Sequence, residues 1–88
     1  MNVEFRSSFA RDLKSLRNKT LLKRVRAAIE DVEHAQSVSQ ISNLKKLRGR
    51  TNYYRIRIGD YRVGITVAGD TVVFVRLMNR KDIYKYFP

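Results

Sequence analysis

The chain has no cysteine and no tryptophan, one proline and one histidine. Without cysteine there is no disulfide framework, no thiolate metal site and no thiol nucleophile. A lone His34 leaves no imidazole cluster for a metal and no imidazole pair for acid–base work. No apolar run exceeds a handful of residues, so no segment is long enough to span a bilayer as a helix. The N-terminus runs straight into charged sequence without a signal-peptide core, which predicts a cytoplasmic protein that does not associate with membranes. Acid is scarce: 8 Asp+Glu stand against 19 Lys+Arg, a formal net charge of +11. No carboxylate cluster of the kind a two-metal nuclease uses is present, and no bound metal is expected. At 88 residues the chain predicts one domain spanning residues 1–88. A domain of that size buries only about 60–65% of the surface its unfolded chain exposes, too little to enclose a cofactor, and none is expected.

What is abundant is positive charge, and it is unevenly placed. From His34 to Gly59 there is no acid, yet Lys45, Lys46, Arg48, Arg50, Arg55 and Arg57 fall there. Arg62, Arg76, Arg80, Lys81 and Lys85 follow. Such a balance implies a polyanionic partner. A general solubility role would be served as well by an even scatter. The chain is 43% hydrophobic, enough to fold despite its charge.

Hydrophobic periodicity gives the order of elements. Val3 and Phe5 alternate with polar neighbours and predict a short strand. Ser7 and Ser8 are candidate N-caps for a helix carrying Phe9, Leu13 and Leu16 on one face. Asn18 to Thr20 interrupts that pattern and caps a second helix. Its stripe is Leu21, Leu22, Val25, Ala28, Ile29 and Val32, with Lys23, Arg24, Arg26, Glu30 and Glu33 on the other face. Ile41, Leu44 and Leu47 are three apart and suggest a short helical turn ended by Gly49. Tyr53–Ile58, Tyr61–Val67 and Thr71–Met78 are strands linked through Gly59-Asp60 and Gly69-Asp70, an antiparallel meander. The tail closes with one turn of helix. The fold class is therefore α+β, β-α-α-β-β-β, with a helix hairpin on one face of a mostly antiparallel four-stranded sheet.

Alternation then sorts the side chains. Tyr54, Ile56 and Ile58 face the helices, while Tyr53, Arg55 and Arg57 face away. Tyr61, Val63, Ile65 and Val67 face the helices, while Arg62, Gly64 and Thr66 face away. A two-residue turn at Gly59-Asp60 puts Arg57 opposite Arg62, a like-charge pair that costs stability. For the last strand, a two-residue turn puts Arg76 on the apolar face. A three-residue link instead sends Val73, Val75 and Leu77 to the core and Phe74, Arg76 and Met78 to the basic face. The second register is preferred because it buries no lone arginine. On this reading Gly64 leaves a gap among Arg55, Arg57, Arg62 and Arg76, with Tyr53 and Phe74 available to stack bases. Asp60, Asp70 and Asp82 are the only acids close enough to compensate.

RNA carries its own nucleophile, the 2′-OH. In-line attack on the adjacent phosphate needs charge stabilisation, which arginine supplies, and proton transfer, which arginine does poorly. Tyr84 is the proton-transfer candidate if neighbouring cations favour its ionised form. The same residues also describe a site that binds RNA without cutting it.

Three motifs carry a family resemblance across nearly the whole chain. Leu44-Lys45-Lys46-Leu47-Arg48-Gly49, the run Tyr54-Arg55-Ile56-Arg57-Ile58-Gly59-Asp60-Tyr61-Arg62-Val63, and the closing Asn79-Arg80-Lys81-Asp82-Ile83-Tyr84 resemble the RelE/ParE toxin superfamily. The opening Phe9, Asp12, Leu13 and Leu16 match its first helix. The RelE branch cleaves mRNA in the ribosomal A site without a metal, through the 2′-OH; the ParE branch inhibits DNA gyrase. The resemblance implies Arg62 and Arg80 on the phosphate, Arg55 and Arg57 at the active face and Tyr84 in proton transfer. Many relatives carry histidine at the position of Asn79. Lys45, Lys46, Arg48, Arg50, Tyr53, Arg76 and Lys81 are the expected RNA contacts. The resemblance also implies an acidic antitoxin from the same operon, the ribosome and mRNA as partners, and promoter DNA bound only through the antitoxin complex. The dense arginine face and terminal tyrosine favour the RelE activity, with a ParE-like gyrase inhibitor or a non-catalytic RNA-binding module as alternatives.

Overall fold

A computed structural model describes residues 1–88. β1 (Asn2–Phe5) leads into α1 (Ser7–Ser15) and α2 (Lys19–His34). A single 3-10 turn (Val38–Gln40) precedes β2 (Leu44–Lys46), β3 (Tyr53–Ile58), β4 (Tyr61–Ala68) and β5 (Thr71–Asn79), and α3 (Ile83–Tyr86) closes the chain. The strands form one sheet in the order β1-β5-β4-β3-β2. β1 runs parallel to β5 and every other pair is antiparallel.

The helix hairpin forms for the expected reason. The α2 stripe places Leu21, Val25 and Val32 in the core, with Phe9 of α1. Asn18 caps α2: its side chain accepts from the Leu21 N–H at 3.1 Å. The start of α1 differs from expectation. Its N-cap is Arg6, which makes no side-chain cap. Ser8 lies inside the helix, and its hydroxyl donates instead to the Val75 carbonyl.

The expected four strands are five. Leu44, taken for part of a helical turn, begins β2 and pairs with Ile56, Lys45 with Arg55 and Lys46 with Tyr54. The helical turn sits earlier, at Val38–Gln40. A three-residue spacing of apolar positions fits either state when the run is short, and here the free edge of β3 recruits the segment.

The β3–β4 register is the expected one: Ile58 pairs with Tyr61, Arg57 with Arg62 and Arg55 with Gly64. The β4–β5 register is neither of the two considered. The turn has two residues, since Ala68 pairs with Thr71, and a bulge lies where Gly64 pairs with Arg76 but Ile65 with Phe74. The extra residue, Val75, shifts the side-chain alternation by one position. Val72, Phe74 and Leu77 therefore all reach the helix-side core, and Arg76 is spared burial there. Phe74 is not on the basic face: it stacks with Phe5 at 5.3 Å and meets Phe9 at 5.4 Å.

The second face of the sheet is not bare. Leu47, Ile83 and Phe87 form a small core on it, with Tyr53, Val75 and Met78 packed around. This cluster ties α3 to the sheet. It also fills the gap expected at Gly64, where a Cβ would meet the Phe87 ring at 2.6 Å.

Candidate functional site

Beside this small core lies the arginine cluster. Arg55 and Arg57 project from β3 and Arg62 from β4, on the face away from α1 and α2. Arg80 follows β5, and its N–H donates to the Asp60 carbonyl at 2.8 Å, which fixes the strand end against the β3–β4 turn. Tyr84 stands on α3 and is 60% exposed. Ile83 and Phe87 on either side of it are buried, so the phenol is presented from an anchored turn.

Arg62 is the centre of the group. Its Nη1 donates to the Gly59 carbonyl at 2.8 Å and the Tyr61 carbonyl at 2.9 Å, so the turn holds the guanidinium in place. Burial pushes its pKa below the ordinary arginine value, and the neighbouring Arg55, Arg57 and Arg80 push it the same way. Tyr84 acts on it in the opposite sense. Three cations and a phenol are thus within electrostatic reach of Arg62. Arg55 is half-buried: Nη1 donates to the Asn43 carbonyl at 3.1 Å, and Nε is buried without a partner.

The other expected contacts are spread more widely. Lys45 faces the cluster across Arg55. By alternation Lys46 shares the side of Leu44. Arg48 and Arg50 are exposed in the β2–β3 connection. Arg50 lies 5.9 Å over the Tyr53 ring, and Tyr53 in turn meets Phe87 at 5.6 Å, so this tyrosine belongs to the small core rather than to the arginines. Lys81 is exposed just after Arg80. Arg76 is engaged elsewhere: its Nε donates to Asp12 Oδ2 at 2.8 Å, the only ion pair in the chain. That hydrogen bond raises the Arg76 pKa against the opposing effect of burial. Phe87, seated on Gly64, separates Arg76 from Arg55, which flank Gly64 in the sheet.

Two structural roles escaped the sequence reading. Asp12 also accepts from the Leu77 N–H at 2.9 Å, so α1 satisfies the edge of β5 beyond the end of β1. Only the tertiary fold brings positions 12 and 76 together. Arg24, read as part of a solvated helix face, leans over the Gly59 turn. With Asn43, Arg57, Gly59, Asp60, Arg62 and Arg80 it lines a recess of about 360 Å³ that contains no hydrophobic residue. No group of three or more His, Cys, Asp or Glu is arranged to hold a metal ion, and no helix is long and apolar enough to cross a membrane.

Residues 3–84 match the family described as ParE toxin of type II toxin–antitoxin system, parDE. The chain belongs to the RelE/ParE superfamily of toxins. It is 44% identical to Toxin RelE3 of Methanocaldococcus jannaschii, with the whole of both chains covered. Its fold superposes on a RelB-RelE antitoxin-toxin complex from Methanococcus jannaschii with a TM-score of 0.81 and 42% identity, over 97% of this chain and 99% of the other. An archaeal RelE-RelB complex from Pyrococcus horikoshii OT3 matches with a TM-score of 0.72 and 25% identity, over 90% and 93% of the two chains. The toxin family expected from the motifs and the α+β class expected from the periodicity are both borne out, with the strand count corrected from four to five.

Proposed function

We propose that this toxin is a ribosome-dependent endoribonuclease that cuts mRNA in the A site by attack of the 2′-OH on the adjacent phosphate, without a metal. The observation that carries this reading is the tethered Arg62 guanidinium surrounded by Arg55, Arg57, Arg80 and the exposed Tyr84. In this reaction the 2′-OH loses its proton, its oxygen bonds to phosphorus, and the P–O5′ bond breaks to leave a cyclic phosphate and a 5′-OH. Arg62 and Arg80 stabilise the charge that grows on the phosphoryl oxygens, a role worth more in a fixed, partly desolvated setting than in water. Arg55 and Arg57 add to the positive field. Tyr84 transfers a proton to or from the reacting oxygens. Lys45 and the exposed Arg48, Arg50 and Lys81 hold flanking RNA, and the site acts in the cytoplasm.

Relatives crystallised as complexes with RelB support a cognate acidic antitoxin, encoded in the same operon. A net charge of +11 suits such a partner. Promoter DNA is contacted only through the antitoxin complex. The parDE description of the matching family favours a second reading, inhibition of DNA gyrase. One experiment separates them. Primer extension on a reporter mRNA after induced expression shows cuts within codons if the first reading is right. Intact mRNA accompanied by DNA breaks and an SOS response refutes it in favour of the second.

A further inference from the structure

We propose that Arg24 forms a second phosphate subsite, which takes the RNA phosphate next to the scissile one. The inference rests on the RNA-cleaving reading and extends it to a residue of the helix layer. Three observations carry it. Arg24 is exposed on α2, and its guanidinium lies against the Gly59 turn: a Cβ placed at Gly59 would be 2.8 Å from its Nη1. It makes no ion pair, since the only one in the chain joins Arg76 and Asp12. It also lines the same recess as Arg57, Arg62 and Arg80, where Asp60 is the one acid.

The recess is therefore lined by four arginines and a single acidic residue. No hydrophobic residue lines it, and Asn43 completes the wall. An amphipathic peptide needs apolar anchor points, and this recess offers none. A phosphodiester needs only donors and positive charge, which arginine provides in a fork matched to phosphate oxygens. Arg57, Arg62 and Arg80 are common to the recess and to the cluster with Tyr84, so Arg24 is the one arginine that the recess adds. A strand whose scissile phosphate lies at Arg62 thus has its neighbouring phosphate within the recess under Arg24.

The test is fluorescence anisotropy over a salt series. The probes are a fluorescein-labelled RNA hexamer blocked by 2′-O-methyl groups and a dinucleotide with a single phosphate. Arg24→Gln is expected to weaken the hexamer about three- to tenfold. It should reduce the slope of log affinity against log salt by about 0.7, the value for one single-strand phosphate. Dinucleotide binding and the thermal midpoint should not change. Arg26→Gln, an equal charge loss on the same helix outside the recess, should leave the hexamer unaffected. Wild-type affinity for the hexamer in Arg24→Gln overturns the proposal. So does an equal loss for hexamer and dinucleotide, or an Arg26→Gln effect as large. With labelled poly-glutamate as a third probe, a greater loss for it than for the hexamer makes the recess a peptide surface and also overturns the proposal. Arg62→Ala reports on the catalytic reading separately. If it leaves both RNAs bound normally while Arg24→Gln weakens the hexamer, the subsite stands and the role given to Arg62 falls.

Discussion

Gly64→Ala is a one-carbon change on the second sheet face, and its effect follows from what lies above it. The added Cβ would meet Phe87 Cγ and Cδ2 at 2.6 Å and Cδ1 at 2.8 Å. Phe87 is 2% exposed and wedged with Leu47 and Ile83, so the ring has little room to retreat. Overpacking of this kind costs about 1–3 kcal/mol. Alanine recovers about 0.4–1 kcal/mol by restricting the unfolded chain, because the backbone of Gly64 is one that alanine adopts. Three ring carbons at 2.6–2.8 Å put this case in the upper half of the overpacking range, so the net loss is about 1–2.6 kcal/mol, which for a domain of this size lowers the melting midpoint by roughly 4–20 °C. Thermal denaturation followed by circular dichroism reads this directly. A companion variant sharpens it. Phe87→Leu removes the collision and leaves a void, so the double variant should be more stable than the two separate losses predict, by at least ~0.5 kcal/mol. Tyr84 is three positions before Phe87 on the same anchored turn, so Gly64→Ala should also slow RNA cleavage at temperatures where the protein is fully folded. An unchanged midpoint for Gly64→Ala, or strict additivity in the pair, would show that the ring does not occupy this position. The gap at Gly64 would then be open to a ligand after all.

Four other variants have expected outcomes. Arg62→Ala should lower cleavage by at least ~100-fold and Tyr84→Phe by about 10²–10⁴, both with folded protein by circular dichroism; full toxicity in either removes that residue from the site. Asp12→Ala should cost about 2–3 kcal/mol in urea denaturation, since it strands the Leu77 N–H and releases Arg76 together; a loss below ~0.5 kcal/mol contradicts the role given to Asp12. Arg57→Gln should raise stability by about 0.2–1 kcal/mol, because it relieves the direct pairing with Arg62, while cleavage falls; a destabilised variant would mean that the two charges are already accommodated.

What the sequence made legible follows the periodicities. The α2 stripe, the Asn18 cap and the Arg57–Arg62 pairing all come from local spacing, and local spacing survives folding. The grouping of Arg55, Arg57 and Arg62 was legible for the same reason, since one turn and two alternating strands determine it. The misread parts each depend on a partner distant in the chain. The bulge at Val75 exists because Phe74 and Leu77 both belong in the core of Phe9, Val25 and Val63, a demand set by α1, α2 and β4 together. Arg76 looked like a free cation because its carboxylate partner is 64 positions away. Phe87 closes over Gly64 from the far end of the chain. Arg24 had no distinguishing signal at all: it is one cation among several on a charged helix face, and only the path of the β3–β4 turn singles it out.

That turn links stability to recognition, and Gly59 separates the two. Gly59 has φ +57°, in the left-handed region. Its carbonyl accepts from Arg62 Nη1 at 2.8 Å, while its Cα faces the Arg24 guanidinium. Alanine here pays a backbone penalty of about 1–2 kcal/mol, so a functional loss in Gly59→Ala would be ambiguous. Asparagine tolerates the left-handed backbone but still adds a Cβ. The atoms it meets are the far end of a flexible side chain, so Arg24 moves aside at small energetic cost. Gly59→Asn should therefore melt within a few degrees of the wild type yet lose hexamer affinity to the extent of Arg24→Gln. Unchanged dinucleotide binding would show that the Arg62 tether is intact. Combining Gly59→Asn with Arg24→Gln should add nothing, because the first change has already displaced the group that the second removes. A further loss of affinity in the double variant would refute this, for it would mean that Gly59 supports the RNA by a route that does not pass through Arg24.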